Sequence, residues 1–383
     1  MDALTAGAGD ETWIRQDVSL AARARRTAAD LARRVGMPAE RIAQIELAVT
    51  EVAVNLTQHA DDGALLLRLI EAGPSPSVAV ELLAIDHGPG IADLAYSRRA
   101  GVSTAGTPGL GLGVVERMAD SFDVHSLMGR GTVLVARFRK RAGQGEAEKP
   151  FPEPTVTGLT RPLSGEQVCG DAWAVKSIGS SADGAPDTAG AAGAAGTTKT
   201  TGTAEAGAED HAPLLLMLCD GLGHGPLAAR ASGKALAAFH RSTAQDPTEI
   251  IAELHRALAG TRGGAVAVAR IDAQRRRIAF CGIGNVSAFI VAGDTRSTLL
   301  SAPGIVGHHL PRLRGHEAAL PPGASVILHS DGLTERWSPA AMPSLFAASS
   351  TLIAAHLLRE AGVRRDDASV VVIKAPAAPG TGS

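Results

Sequence analysis

The sequence predicts an α+β protein built from two domains with a linker between them. Three observations support this prediction. Helical periodicity followed by strand-like segments fills residues 1–140. A stretch rich in Gly, Glu, Lys and Pro without periodicity spans residues 141–160. Apolar strand patterns that end in aspartate recur through residues 161–376, and residues 377–383 form a short tail.

Composition favours a globular protein of the cytoplasm. The chain has 383 residues and a formal net charge of -2, which gives no electrostatic case for binding nucleic acid or a membrane surface. Aromatic residues make up only 3%, which argues against base stacking. We find no apolar run long enough for a membrane span and no signal peptide. The three cysteines form no CxxC pair and suit a reducing cytosol.

Two helices are predicted at the start of the N-terminal domain. The first covers residues 19–35, where apolar residues recur at helical spacing. The second begins at Pro38 and ends at His59. Glu51 and Asn55 are four residues apart on the second helix, so their side chains project from the same side.

Three glycine-rich segments follow these helices. One ends a strand predicted over residues 78–85, one precedes a helix over 114–120, and one precedes a strand over 133–138. Glycines before a helix can bind phosphate through free N–H groups and the positive helix end. A dinucleotide fold is disfavoured, because the central glycines follow a long loop and not a strand. The segments are Asp86-His87-Gly88-Pro89-Gly90, Gly109-Leu110-Gly111-Leu112-Gly113 and Gly129-Arg130-Gly131-Thr132.

Together with Glu51-Val52-Ala53-Val54-Asn55, this ordered set resembles the GHKL (Bergerat) ATPase fold, an α/β sandwich. The most similar branch is the small serine kinases and anti-sigma factors of the RsbT/RsbW type. The resemblance covers about residues 13–139 and implies ATP and Mg²⁺ as ligands, with an ATP lid over residues 95–113.

The resemblance also implies roles for individual residues of this domain. Asn55 would hold the Mg²⁺, Glu51 would orient or deprotonate an acceptor serine hydroxyl, and Asp86 would accept from the adenine amino group. Positioning and charge neutralisation of this kind supply most of the catalysis in phosphoryl transfer. The other implied nucleotide contacts are Gly88, Gly90, Gly109, Gly111, Gly113 and Thr132.

Four carboxylates at predicted strand ends mark the C-terminal domain. At about 4 Å, two unit charges repel by about 4 kcal/mol at an effective dielectric near 20, so a cluster of them needs cations. Oxygen ligands without a His/Cys set favour Mg²⁺ or Mn²⁺ over zinc. The alternative is an ordinary strand-to-turn junction with Asp as a turn former. The segments are Gly170-Asp171, Asp220-Gly221-Leu222-Gly223-His224-Gly225, Ser330-Asp331-Gly332 and Asp366-Asp367.

These motifs resemble the metal motifs of the PPM serine/threonine phosphatases, in particular the bacterial SpoIIE/RsbX type. The resemblance covers about residues 162–374 and implies an αββα sandwich with a pair of Mn²⁺ or Mg²⁺ ions. Two such ions can activate water for attack on a phosphoryl group. Asp220 and Asp331 would be catalytic. The implied metal contacts are Asp171, Asp220, Gly221, Asp331 and Asp366.

Several residues near these motifs keep two interpretations. His224 is either a general acid or a loop hydrogen-bonding group, because Leu222 stands where many relatives have a histidine. Of the pair Asp366-Asp367, we assign the metal contact to Asp366 first, and Asp367 is the second choice. Gly282-Ile283-Gly284-Asn285 either shapes the site or forms a β-bulge, and we favour the bulge. His329 and Glu335 either support the site or are incidental.

The rest of the C-terminal domain is predicted from composition and periodicity. Residues 177–212 contain almost no large apolar side chain, so we expect a disordered hairpin insertion between the Asp171 and Asp220 strands. Helices are expected over 226–240, 247–259 and 345–361.

The two resemblances together imply a kinase fused to an opposing phosphatase. By resemblance, the expected target of both is a phosphorylatable STAS-domain antagonist of an anti-sigma factor, with a sigma factor or another switch protein as a further partner. One alternative is a phosphatase whose ATP domain only senses nucleotide. The other is a stoichiometric switch that sequesters its target without turnover.

Overall fold

A computed structural model describes residues 4–5, 11–72, 77–98, 111–140, 153–164, 166, 168–178, 212–363 and 366–377. Three predicted features lie wholly or mostly outside these ranges, namely Gly109 with most of the ATP lid, most of the linker, and most of the insertion. No helix in the described part of the chain is both long and apolar enough to cross a membrane.

The N-terminal half forms an antiparallel sheet with helices on one face. Strand β1 (Leu4–Thr5) is an exception, since it pairs with the C-terminal half. The sheet has the strand order β2-β3-β4-β6-β5. Its elements are β2 (Glu11–Arg15), α1 (Leu20–Arg34), α2 (Ala39–His59), β3 (Ala64–Ala72), β4 (Ser77–Ile85), α3 (Leu94–Ser97), α4 (Gly111–Met118), β5 (Ser121–Leu127) and β6 (Gly131–Arg139).

Helices α1 and α2 bury one apolar face each against this sheet, as the helical spacing predicts. Gly36, which follows α1, adopts a left-handed conformation with φ of 68° and ends the helix. Glu51 and Asn55 are only half-buried, at the side of α2 that the core leaves open. The buried residues that form this core include Leu20, Leu31, Ile45, Val49, Val52, Leu65, Leu67 and Leu82.

The C-terminal half contains two stacked antiparallel sheets. One has the strand order β1-β8-β9-β10-β11-β14, and the other has the order β13-β12-β15-β16-β7. The elements are β7 (Val156–Arg161), β8 (Asp171–Ser177), β9 (Leu214–Gly221), α5 (Pro226–Arg241), α6 (Pro247–Leu258), β10 (Gly264–Asp272), β11 (Arg277–Ile283), β12 (Ser287–Ala292), β13 (Thr295–Leu299), β14 (His316–Ala319), β15 (Ser325–His329), α7 (Ser350–Ala361) and β16 (Ala368–Lys374).

Apolar side chains fill the space between the two sheets. Leu216, Leu218 and Phe280 of the first sheet face Val326 and Val371 of the second, and all are buried. Helices α5 and α6 cover the outer face of the first sheet, whereas α7 covers the outer face of the second. The layers therefore follow the predicted αββα order.

Two boundaries differ from the prediction. Strand β7 begins at Val156, inside the predicted linker, because it pairs with β16. The helix predicted over 345–361 is divided into a 3₁₀ turn, Leu345–Ala347, and α7. The side chain of Ser349 accepts a hydrogen bond from the Leu352 N–H and so caps α7 at its start.

The β8–β9 hairpin connects the predicted insertion to the acidic motifs. Asp171 pairs with Asp220 at one end of the hairpin, and Ser177 pairs with Leu214 at the other. Beyond that pair, the Ile178 N–H donates to the Pro213 carbonyl over 2.8 Å. The chain therefore leaves and re-enters the sheet at adjacent points, at the end opposite the two aspartates.

The two halves share an apolar core around α7. The sheet face of the N-terminal half that lies opposite α1 and α2 contributes Leu66, Leu83 and Val135 to one cluster with Ile353 and Leu357 of α7. The indole N–H of Trp13 also donates to the Thr160 carbonyl over 2.7 Å. Helix α7 is thus packed between a sheet of each half.

Candidate nucleotide and metal sites

A cavity of about 500 Å³ opens beside α2 in the N-terminal half. Its wall brings together Glu51 and Asn55 from α2 with Asp86, which follows β4. The other predicted residues in the wall are Gly90, Gly111 and Thr132. Gly88 lies between Asp86 and Gly90, and Gly113 is buried within α4. The predicted residues that the structure describes therefore surround one cavity or adjoin it.

Asp86 is held at the base of this cavity by backbone donors. Its Oδ1 atom accepts hydrogen bonds from the N–H groups of Gly88 at 2.8 Å and Thr132 at 3.2 Å. Burial raises the pKa of the carboxyl group, and these two donors and the charge of Arg359 act against that rise. No described residue donates to the second oxygen, so it is available to a ligand.

The turn after Asp86 is packed too tightly for any side chain at Gly90. This residue has φ of 77°, and a Cβ atom there would stand 2.5 Å from the carbonyl oxygen of Leu127. Glycine is therefore required for the backbone to close under the cavity.

Four aspartates meet at the ends of strands in the C-terminal half. Asp171 and Asp220 face each other across β8 and β9. Asp331 follows β15, and Asp366 precedes β16. Burial, followed by the charges of the other three, raises the pKa of Asp220 to about 10. Because the charges of Asp171, Asp331 and Asp366 each raise the pKa of Asp220, the four carboxylates lie close to one another.

The cluster has the chemistry of a cation site. Burial raises the pKa of Asp171 to about 7, and its Oδ2 atom is buried without a hydrogen-bond partner among the described residues. No closed cage of three or more acidic, histidine or cysteine side chains is present in the described part of the chain. Mg²⁺ keeps several waters and needs only one or two carboxylates per ion, so an open oxygen cluster fits it.

The loop after Asp220 is pressed against helix α5. A Cβ atom at Gly221 would overlap with the carbonyl oxygen of Ala228, and the Gly221 N–H donates to Gly170 over 3.2 Å. The contact with Gly170 joins the loop to the residue before Asp171. Gly221 thus keeps the two opposed aspartates in register.

Two of the residues with open interpretations have roles outside the carboxylate cluster. Asp367 accepts from the Leu163 N–H at 2.7 Å and from the Gly170 N–H at 2.8 Å, so both of its oxygens hold the preceding loop. The exposed His224 ring lies 3.1 Å from the Glu166 carboxylate, which fits a loop contact.

His329 and Glu335 are likewise engaged elsewhere. The ring of His329 is fully buried and lies 5.6 Å from the ring of Phe289. Glu335 accepts a hydrogen bond from the Ser287 hydroxyl over 2.5 Å. Neither contact involves a member of the aspartate cluster.

Asn285 is a site residue whose contact sequence reasoning missed. Its side-chain amide donates to Oδ2 of Asp331. The preceding Gly284 has φ of 90°, which turns the chain after β11 and brings Asn285 to the cluster. The glycine-rich strand end was the available signal, although we favoured a bulge there.

Comparisons with known proteins match each half of the chain to a different family. Residues 14–138 match the family described as "Histidine kinase-like ATPase domain", and residues 210–376 match "Stage II sporulation protein E (SpoIIE)". The chain is 31% identical to serine/threonine-protein kinase RsbT of Bacillus subtilis (strain 168) over 113 residues, or 30% of this chain and 84% of RsbT. It is 27% identical to phosphoserine phosphatase RsbX of the same strain over 126 residues, or 32% of this chain. That match spans 63% of the length of RsbX.

Two solved structures are also similar. One, described as "The bacterial stressosome: a modular system that has been adapted to control secondary messenger signaling", has 28% identity and a TM-score of 0.45 over 57% of this chain and 97% of that chain. The other, "Crystal structure of RsbX in complex with magnesium in space group P1", has 20% identity and a TM-score of 0.44 over 57% of this chain and 94% of that chain.

The family assignments and the fold class predicted from the motifs are therefore confirmed. This chain belongs to the histidine kinase-like ATPase family in its N-terminal half, through its likeness to the serine/threonine kinase RsbT, and its C-terminal half matches the SpoIIE family over residues 210–376.

Proposed function

We propose that this chain is a cytoplasmic, bifunctional regulator of partner switching that phosphorylates and dephosphorylates serine or threonine on a protein target. The observation that carries the proposal is that one chain brings together both predicted sets of polar residues. Glu51, Asn55 and Asp86 line one cavity, and four aspartates converge around Asp220.

In the N-terminal half, the chain's own groups bind and orient the reactants. The free oxygen of Asp86 would accept from the adenine amino group, and Asn55 would hold the Mg²⁺ that accompanies the phosphates. Glu51 lies one helical turn before Asn55 and would accept the proton of the serine hydroxyl as its oxygen bonds to the γ-phosphorus and ADP leaves. The roles of Glu51 and Asn55 depend on the rigid spacing that α2 imposes.

In the C-terminal half, Asp171, Asp220, Asp331 and Asp366 would hold a pair of Mn²⁺ or Mg²⁺ ions. When bound, the ions supply Lewis-acid activation of water and of the phosphoryl oxygens. Asn285 orients the carboxylate of Asp331 through its amide hydrogen bond. Asp367 fixes the loop that precedes Asp171 through two backbone donors.

We further propose that the target is a phosphorylatable STAS-domain protein that antagonises an anti-sigma factor, so that its phosphorylation state frees or sequesters a sigma factor or switch protein. The likeness to both RsbT and RsbX supports a shared target, since a kinase and a phosphatase in one chain act in opposition on the same serine.

The phosphatase role is tested with Asp220→Asn. The variant should lose Mn²⁺-dependent hydrolysis of a phosphoserine protein, because the central carboxylate of the cluster no longer carries a charge. Asp272→Asn is the matched control, since Asp272 is also buried but caps the Arg275 N–H at a distant turn. Full activity of the Asp220 variant would refute the metal assignment.

The kinase role is tested with Glu51→Ala. We expect loss of phosphate incorporation from ATP into the target, with binding of the target unchanged. Glu46→Ala, five residues earlier on α2, is the control. If phosphate incorporation is unchanged in the Glu51 variant, the ATP domain acts through another base. If the wild type binds target but transfers no phosphate, the chain is a sensor or a sequestering switch.

The identity of the target is tested by capture from the native cell extract with ATP present, followed by mapping of phosphorylated residues on the captured protein. A STAS-domain protein phosphorylated on serine or threonine supports the proposal. A captured protein of another class, phosphorylated in the same way, would keep the kinase role and replace the target.

A further inference from the structure

A residue of the C-terminal half lies directly beneath the nucleotide cavity of the N-terminal half. Arg359, on the last turns of α7, is only 2% exposed. Its Nη1 atom donates to the backbone carbonyl of Asp86 at 3.2 Å and also to the carbonyl of Arg130. Two of the three glycine-rich segments of the ATPase half, those that contain Asp86 and Arg130, are thus held by one guanidinium group from the phosphatase half.

The contact depends on a glycine at the third segment. Gly131 has φ of 95°, and a Cβ atom there would overlap with the Asp86 carbonyl oxygen and stand 2.8 Å from Nη1 of Arg359. A side chain at this position would therefore separate Arg359 from its acceptors. The close approach is a property of the folded backbone and not of a flexible surface arginine.

Residues of the N-terminal half also contact the backbone and side chains at the end of α7. The ring Nε2 of His87, next to Asp86, lies 3.1 Å from the carbonyl oxygen of Arg359 and donates to it. Arg130 forms an ion pair with Glu360, the residue that follows Arg359. The end of α7 is therefore fixed to this edge of the nucleotide cavity by contacts in both directions.

The charge of Arg359 also matches what the adenine site needs. Asp86 can accept a hydrogen bond from an adenine amino group only through a free carboxylate oxygen, and burial works against its ionised form. The charge of Arg359 acts against the rise that burial causes in the pKa of Asp86. It is thus placed to affect both the position and the charge of Asp86.

The same end of α7 is joined to the metal loop. The Thr334 N–H donates to the carbonyl of Ala361 over 2.9 Å, and the Val363 N–H donates to the carbonyl of Gly332 over 2.7 Å. Gly332 follows Asp331 directly. Only Glu360 lies between Arg359, which contacts Asp86, and Ala361, which contacts the loop after Asp331.

We propose that Arg359 is a positioning residue for the nucleotide site, and that α7 thereby couples adenine binding at Asp86 to metal binding at Asp331. The inference rests on the two sites of the proposed function and adds the link between them. Such a coupling is reciprocal, so metal must change nucleotide affinity by the same factor as nucleotide changes metal affinity.

Adenosine is the probe for the first test, because it reaches Asp86 but carries no phosphate that would bind a metal ion. Arg359→Met in the full chain should weaken adenosine binding about tenfold or more, measured by calorimetry, since a buried charged donor is lost. Arg359→Lys should restore part of the affinity. Glu153→Gln is the control, because it removes an ion pair with Arg137 at the same interface and leaves Arg359 and its partners in place.

Equal loss of adenosine affinity in the Glu153 control and the Arg359 variant would overturn the positioning role, since general loosening of the interface would then explain both. Adenosine affinity that does not change in Arg359→Met would overturn it as well. Thermal unfolding of each variant shows whether it is folded, and the second test does not depend on any variant of Arg359.

The second test measures adenosine affinity of the wild type with and without Mn²⁺. We expect a change of about fivefold or more, which disappears in Asp220→Asn. An unchanged affinity would overturn the coupling. Because both tests measure binding and not turnover, a chain without phosphatase activity would contradict the proposed function while leaving the coupling open to confirmation, and the reverse also holds.

Discussion

Two histidines and an arginine form a hydrogen-bonded chain between the halves. Arg359 can only donate, so Nδ1 of His356 accepts from it over 3.1 Å, and the Nε2–H of His356 donates to Nδ1 of His125 over 2.8 Å. The other ring nitrogen of His125 then donates to the Pro343 carbonyl at 3.3 Å. The link from Arg359 requires a neutral His356 ring, and the link between the two rings requires a neutral His125 ring, because a protonated ring offers no acceptor.

Because these hydrogen bonds need neutral histidine rings, we predict that the protein loses stability in mild acid. Burial, then the charges of Arg359, His125 and Arg130, lowers the pKa of His356 to about 2. The unfolded chain binds a proton near its ordinary value of 6.5 and the folded chain does not, so the free energy of unfolding falls as pH drops below 6.5. We expect a decrease of about 2 kcal/mol between pH 8 and pH 5 from this residue alone.

Urea unfolding at the two pH values measures the decrease, and His356→Asn should have a flatter pH profile than the wild type. A wild-type protein that is equally stable at pH 8 and pH 5 would contradict the neutral state of the His356 ring in the folded protein.

At the scale of residues, site residues could be predicted from the sequence where their neighbours along the chain form a recognisable pattern. An aspartate that follows a buried apolar run and precedes glycine, such as Asp220 or Asp331, has a recognisable pattern. Arg359 has none, because its acceptor Asp86 is far away in the chain and an arginine near a helix end is usually solvated. The Asn285 contact with Asp331 was missed for the same reason, since it depends on how two separate strands align.

The turn between β5 and β6 shows how an element can depend on a single glycine. Gly129 and Gly131 both have left-handed conformations, with φ of 71° and 95°. A Cβ atom at Gly129 would meet nothing within 4 Å, whereas one at Gly131 would overlap with the carbonyl of Asp86. The two glycines thus share a conformational demand but differ in available space.

We predict that Gly131→Ala is far more damaging than Gly129→Ala. The left-handed conformation alone costs about 1 kcal/mol in either variant. At Gly131, the overlap adds the cost of moving the backbone of Asp86 at the base of the nucleotide cavity. Thermal unfolding and adenosine binding measure the difference. Similar losses in the two variants would show that conformation and not space is decisive.

The bounds of most elements could be predicted from periodicity, since helices such as α2 and α6 have one apolar face and clear start residues. The separation of the 3₁₀ turn at Leu345–Ala347 from α7 could not be predicted in this way. Residues 345–361 keep a helical pattern, but the Ser349 side chain starts a new helix there, and its hydroxyl also donates to Asp123 of the other half over 3.1 Å. A tertiary contact therefore helps to set this boundary.

At the scale of the whole molecule, a buried charge network stabilises the contact between the halves. Glu81 is 1% exposed and accepts from Nε of Arg68 at 2.7 Å and from Nε of Arg137 at 2.8 Å. Arg68 also donates to the Gly158 carbonyl and Arg137 to the Thr351 hydroxyl, and both acceptors belong to the C-terminal half. Burial alone would raise the pKa of Glu81, but the two arginines hold it below its ordinary value.

Glu81→Gln is therefore predicted to cost about 3 kcal/mol of stability, because it removes the one carboxylate that two buried guanidinium groups share. Arg68 then keeps only Glu11 as an ion-pair partner, and Arg137 keeps only Glu153. Glu317→Gln is the matched control. It breaks an exposed ion pair with Arg277 and should cost less than about 1 kcal/mol. Chemical unfolding measures both values, and comparable losses would show that the network does not stabilise the contact between the halves.

The arrangement of the two halves was beyond sequence reasoning. Each half carries motifs that identify its own fold, but the face of the N-terminal sheet that packs on α7 reads as an ordinary buried strand surface. Near-continuous apolar runs in β3, β4 and β6 indicate that both faces of the sheet are covered, without indicating by what.

The hairpin of β8 and β9 has a practical consequence for experiments on this chain. Its two strands meet at Ile178 and Pro213, while the aspartates lie seven residues away on each strand, or about 23 Å along the strands. A fluorescent tag or a two-residue turn could therefore be spliced between these two positions without disturbing the acidic end. Residues 179–211 thus offer a natural splice point for a reporter that follows the protein in the cell while its chemistry continues.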